Sequence, residues 1–175
     1  MALIAVMGLT SSLTLISCSD DNTVTTTDTR HWTTDGGLKA ADNLLFNDNQ
    51  IGNGDKEFVF TGKQTLKKGT YLLKGWVYVA DGAELTIEPG TIIKGDKQTM
   101  ASIIVERGGK LIAQGTKDAP IVFTSNAPKG QRKPGDWGGL ILCGKAPHNA
   151  GQAQIEGGPR TKHGGNDAHD NSGVL

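Results

Sequence analysis

Aromatic side chains are scarce in this sequence: four Phe, three Trp and two Tyr among 175 residues. With so few, and with 25 glycines, the composition disfavours a helical bundle and describes a turn-rich chain of small β units. Cysteine is nearly absent. Cys18 and Cys143 are too few for a disulfide framework, so each needs its own explanation. A charge excess is missing too. Lys plus Arg and Asp plus Glu each number 18, which excludes the basic footprint of a nucleic-acid partner. The densest basic group, Lys129, Arg132 and Lys133, fits a solvated loop. No uncharged apolar run reaches the ~20 residues of a spanning helix. At 36% apolar content the chain is long enough for one core and short for two, so one domain is expected.

Met1 to Ser17, which contains no charged residue, suits the apolar core of an export signal and gives way to a polar run at Cys18. The basic residues that precede such a core are missing, which leaves either a leader beginning upstream or a genuine start at Met1. Leu15-Ile16-Ser17-Cys18 resembles the lipobox of bacterial lipoproteins. That chemistry requires a thiol at Cys18, because the diacylglyceryl thioether forms on its sulfur and the freed α-amino group can then be acylated. Several acyl chains anchor stably where one is marginal. Ser19-Asp20-Asp21 resembles the acidic surface-export signal of lipoproteins in the Bacteroidota, which implies an outer-membrane protein facing the medium. Residues 18–29, rich in Thr, have no periodicity and too little apolar surface to offset ordering, as expected of a flexible tether. Residues 30–63 are punctuated by Gly and Asn around Leu44-Leu45-Phe46, and are expected to form an irregular cap, either a short helix or a lid. Phe58-Val59-Phe60 is the first convincing strand, and Leu66 with Tyr71-Leu72-Leu73 supplies an incomplete starting coil.

From residue 64 to 175 the chain is expected to be a solenoid. Val79-Ala80-Asp81-Gly82-Ala83-Glu84-Leu85 is written again, 26 residues on, as Val105-Glu106-Arg107-Gly108-Gly109-Lys110-Leu111. Short runs bounded by Gly, Pro, Asp or Asn fall into triplets. One coil comprises Trp76 to Val79, Glu84 to Ile87 and Thr91 to Lys94, and the next Ser102 to Val105, Lys110 to Ala113 and Pro120 to Thr124. A third would use Gly138 to Leu142 and Ala153 to Glu156, with Gly173-Val174-Leu175 starting its last strand. Alternation within strands, Leu85 and Ile87 against Glu84 and Thr86, gives one buried and one wet face. The in-register repeat favours an all-β right-handed parallel β-helix of about three coils, three short strands each, over a sandwich of hairpins.

Three phrases in order, Val77 to Gly95, Gly115 to Ser125 and Gly135 to Leu140, resemble the pectate-lyase-like β-helix region of Bacteroidota cell-surface lipoproteins. The resemblance covers about Gln64 to Leu175. It implies the fold and a surface location, and it carries no catalytic residues across, because members are largely of unassigned activity. Members are also longer, which implies a C-terminally truncated chain whose last coil exposes an edge.

Candidate chemistry is thin. Asp81, Glu84, Glu88, Asp96 and Glu106 are available for acid–base work, yet Glu84, Glu88 and Glu106 alternate with core residues as any solvated face does. Asp167, Asp170 and Asn171, within His163 to Ser172, could offer oxygens to calcium, and His163 and His169 could suit zinc. The spacing matches no established loop, and a polar turn is the simpler reading. Trp137 could stack on a sugar, although a Trp before Gly138-Gly139 is more often a packing residue. His148 and the loop Asn126 to Asp136 could shape a groove, and Cys143 reads as a core-adjacent thiol. Any ligand site is expected on outward residues or in the longer loops after Thr124 and Leu142. The expectation is a structural or glycan-binding surface protein, with no catalytic site evident and no cofactor beyond possible calcium. A polysaccharide lyase or glycoside hydrolase with its catalytic coils further on, and an adhesin or outer-membrane complex subunit, are the alternatives.

Overall fold

A computed structural model describes residues 31–32, 38–39, 41–157 and 159–165 of the chain. The expected signal, tether and lipidation residues, Cys18, Ser19, Asp20 and Asp21 among them, lie outside the described residues.

Two short strands, β1 (His31–Trp32) and β2 (Leu38–Lys39), pair antiparallel. A tight antiparallel pair follows, β3 (Leu45–Asn47) with β4 (Gln50–Ile51). The coils begin with β5 (Phe58–Phe60), β6 (Lys63–Leu66) and β7 (Thr70–Leu73), then β8 (Trp76–Val79), β9 (Glu84–Ile87) and β10 (Ile92–Gly95), then β11 (Ser102–Val105), β12 (Lys110–Ile112) and β13 (Val122–Ser125). A fourth turn opens with β14 (Gly139–Leu142). Equivalent strands stack in parallel into three sheets, ordered β5-β8-β11-β14, β6-β9-β12 and β4-β7-β10-β13, the last extended by β3. The chain is a parallel β-helix with three complete coils among the described residues.

The repeat sets the register: Val79 pairs with Val105 and Leu85 with Leu111. Inward ladders run Phe58–Val77–Ile103–Leu140 and Phe60–Val79–Val105–Leu142, meeting a third of Tyr71–Ile93–Phe123. Most of these side chains are fully buried, and their burial, at roughly 1.5–3 kcal/mol each, is what one coil cannot achieve without its neighbours. Gln64 stands beneath Leu85 and turns its amide to the cap, accepting from the Leu44 N–H at 2.7 Å and donating to Asn43 Oδ1 at 3.1 Å. Leu44 is buried over the first coil, so this end of the solenoid is closed. At the other end, among the described residues, Leu140 and Leu142 finish their ladders exposed, Leu142 at 63%.

Three expectations are corrected. The region of Leu44-Leu45-Phe46 forms the β3–β4 strand pair, not a helix, because Asn43, Asn47 and Asn53 side chains accept backbone N–H groups two residues on and bend the chain into turns. The stretch from Phe58 to Leu73 is a complete coil, not an incomplete one, so parallel pairing begins ahead of Gln64. Its short corners, with few turn residues, hid the strand boundaries. The third departure is β15 (Ala153–Gln154), expected to stack as a coil strand, which instead pairs antiparallel with β16 (Lys162–His163). Left-handed glycines at Gly151, Gly157 and Gly164 fold residues 144–165 into an arm whose base is tied by Gly164 N–H to Gly144 O at 2.9 Å. The expected last strand, Gly173 to Leu175, lies outside the described residues.

Candidate functional site: a charged cleft between the coil corners and the arm

Along β8 and β11 the period of two points Val77, Val79, Ile103 and Val105 inward, so Tyr78 and Ile104 face out. Both are nevertheless almost completely buried. The returning arm covers this outer face: the Arg160 N–H donates to Tyr78 Oη at 3.2 Å and the Arg160 guanidinium lies 4.9 Å over the Tyr78 ring. Burial pushes the Tyr78 hydroxyl above its ordinary pKa. Cys143, just before the arm, is buried and its thiol is also pushed up by burial.

Between the arm and the stacked corners lies a cleft of about 570 Å³, lined by Asp81, Glu106, Arg107, Lys145, Arg160, Thr161 and Lys162. Its floor comes from the repeat, since the turn after β8 presents Asp81 where the turn after β11 presents Arg107. Asp81 reaches across Gly108, which has φ +86° and no room for a Cβ beneath the carboxylate. The walls come from the arm, Lys145 on its outgoing side and Arg160, Thr161 and Lys162 on its return.

Glu106 is the most enclosed carboxylate of the cleft, its side chain 17% exposed, and it is paired with Arg160 at 3.1 Å. Burial raises its pKa and Asp81 raises it further, while Arg160 and Thr161 pull it down. Arg107 is fixed by Nη1 donating to Gly164 O at 2.9 Å. Lys145 and Lys162 make no ion pair among the described residues. Among the described residues four cations therefore face two carboxylates, in a chain whose net charge is zero.

Of the residues singled out in the sequence, Trp137 packs against the core, its ring over Gly95, where a Cβ would come within 2.6 Å of it. The loop ahead of it is pinned by Asp136, which accepts from Ser125 Oγ and from the Lys133 N–H, both at 2.9 Å, and pairs with Lys97 at 3.4 Å. These donors hold the Asp136 carboxyl below its usual range. His148 sits in the arm stacked on His163, ring centroids 4.9 Å apart, and accepts from the Ala150 N–H at Nδ1. Its Nε2 is buried without a partner among the described residues. Asp167, Asp170 and Asn171 lie outside the described residues, as does His169; within them no three His, Cys, Asp or Glu converge as a metal site.

The sequence offers outward residues and the loops after Thr124 and Leu142 as places for a site, the arm follows Leu142, and Asp81 and Glu106 stand only among available acids. Lys145, Arg160 and Lys162 went unnoticed. The alignment of Asp81 with Arg107 at stacked corners was the one signal for the cleft.

Three parallel sheets wound from short strands, closed at one end by a hairpin cap, define this protein as a parallel β-helix solenoid. The profile of the pectate-lyase-like β-helix domain matches residues 59–175, more than half of the chain, and the chain belongs to that family. No curated protein and no solved structure matches it.

Proposed function

We propose that this protein is lipid-anchored through Cys18, displayed at the outer-membrane surface, and binds a glycan without acting on it, in the cleft between the coil corners and the arm. The lipobox-like Leu15-Ile16-Ser17-Cys18 and the acidic Ser19-Asp20-Asp21 support the address. The observation that supports the binding role is the cleft: its volume lies in the range of ligand sites, and its polar groups converge from two corners and both sides of the arm. The likeness of the family's fold to that of pectate lyases, which act on a polysaccharide, favours a saccharide as the ligand.

A glycan array probed with the full chain, followed by titration of the best ligand against an Arg160→Ala variant, tests the site. Binding unaffected by that change removes the cleft from consideration. Cys18→Ser should move the protein from the membrane to the soluble fraction, and continued anchoring of the variant excludes lipidation at this residue. Calcium is proposed at Asp167, Asp170 and Asn171, where a calcium titration followed by calorimetry should show heat that the Asp170→Asn change abolishes.

One observation favours a second reading, a carbohydrate-active enzyme. Glu106, whose carboxyl is raised by burial, lines the same cleft as Asp81, and glycoside hydrolysis is run by two carboxyl groups. Turnover of a bound oligosaccharide, lost in Glu106→Gln, would establish it, and intact ligand after prolonged incubation eliminates it.

A further inference from the structure

Resting on the glycan-binding reading, the inference concerns which glycans the cleft selects. We propose that it is specific for saccharides bearing an oxyanion, a carboxylate or a sulfate ester, and rejects neutral ones. Glu106 is already neutralised within the protein by Arg160 at 3.1 Å. Among the described residues of the lining, that leaves Arg107, Lys145 and Lys162 facing the carboxylate of Asp81.

The three cations come from separate segments, a coil corner and the two sides of the arm, and converge on one cavity of about 570 Å³ instead of spreading over the surface. Gathering like charges around a hollow raises the local concentration of ligands of the opposite sign. Arg107 is also oriented: one guanidinium nitrogen is held by the Gly164 carbonyl at 2.9 Å, which leaves further N–H donors for a planar or tetrahedral oxyanion.

The second observation is what the lining lacks. No Trp, Tyr or Phe is among the described residues that line it, and the Tyr78 ring beside Arg160 is already covered by that guanidinium at 4.9 Å. A neutral sugar offers apolar ring faces and hydroxyls, and its usual anchor is an aromatic platform. This cleft provides charge in place of that platform, so recognition falls on the ligand's anionic groups. Because the site is open to solvent, the attraction is screened by salt.

The test is isothermal titration of the full chain with three oligosaccharides of equal length, one of uronic acids, one sulfated and one neutral, at low and at high salt. The variant is Lys145→Gln/Lys162→Gln, chosen because neither lysine makes an ion pair among the described residues; circular dichroism checks its fold. The inference expects binding of the uronic or the sulfated probe, weakening with salt, and about tenfold weaker in the double variant. Which of the two acidic probes binds identifies the anion. Equal binding of the neutral probe overturns the selectivity and leaves the glycan reading standing. Acidic binding unchanged in the double variant overturns the assignment to this cleft. Equal affinity for a single-stranded oligonucleotide would show a general polyanion site and overturn the proposal as well. If no saccharide binds at all, the glycan reading itself fails, and the inference with it.

Discussion

Gly109→Ala is the substitution on which the repeat and the structure disagree. Aligning the two written copies puts Gly109 where Ala83 stands, and Ala83 is fully buried without strain, so repetition alone predicts a harmless change. In the stacked coils a Cβ on Gly109 would lie 2.4 Å from Val79 O and 2.9 Å from Ala80 O. Both are backbone atoms of the coil beneath, and Val79 O accepts the Glu106 N–H at 2.9 Å, so relief of the clash disturbs a bond joining the coils. Overpacking of this kind costs about 1–3 kcal/mol. The reduced freedom of the unfolded chain returns about 0.4–1 kcal/mol, leaving a net loss of about 1–2 kcal/mol. Gly82→Ala is the control, since Gly82 lies in the equivalent corner of the neighbouring coil, has φ +78° and has nothing within 4 Å of a built Cβ. Its left-handed backbone costs about 1–2 kcal/mol before the same return, so the net effect should be smaller, about 0.5–1 kcal/mol. Urea unfolding of the two variants, at constant m-value, gives both numbers. A Gly109→Ala protein as stable as the parent, or more stable than Gly82→Ala, would refute the close stacking of these corners.

Four further outcomes follow from the same geometry. Ile103→Ala, at the centre of an inward ladder, should lose about 2–5 kcal/mol in urea unfolding, while Leu142→Ala at the open end should lose under about 1 kcal/mol; equal losses would mean that end is covered. Arg160→Gln removes the counter-ion of Glu106 and should cost about 1 kcal/mol near neutral pH, given that Arg160 is partly exposed. Because the folded Glu106 carboxyl is raised, it binds its proton more tightly folded than unfolded, so its contribution to stability falls as pH rises through that raised value. The variant, raised further, should lose more stability as pH rises above the ordinary carboxylate range, and parallel stability–pH curves would contradict this. Asp136→Ala should speed proteolysis within residues 126–136. In the parent the same loosening should appear on acidification through the depressed Asp136 pKa and be reversed above it, and a pH-independent cleavage rate would disprove the pinning.

The sequence by itself determined the ladder positions. A period of two with glycine and proline at fixed offsets leaves an isolated coil half-buried, and a second copy 26 residues on, Val79 to Val105 and Leu85 to Leu111, can complete it only by stacking. That argument weakens where the copies diverge. The Phe58–Leu73 coil carries Gln64 at an inward position and short corners, and its pairing became visible only when the cap supplied partners for the Gln64 amide. The arm was illegible for a different reason. Ala153 and Gln154 have the local character of a strand, and whether they stack on a coil or fold back depends on left-handed glycines and on contacts 50 or more positions away, such as Arg160 with Glu106 and with Tyr78. Outward-pointing Tyr78 looks like a surface position by periodicity, and Arg160 of the arm covers it. The cleft has the same origin. Sequence supplies Asp81, Glu106 and Arg107 because neighbouring repeats place equivalent corners above one another. Lys145, Arg160 and Lys162 meet them only in three dimensions, where electrostatic fields add across space without regard to distance along the chain.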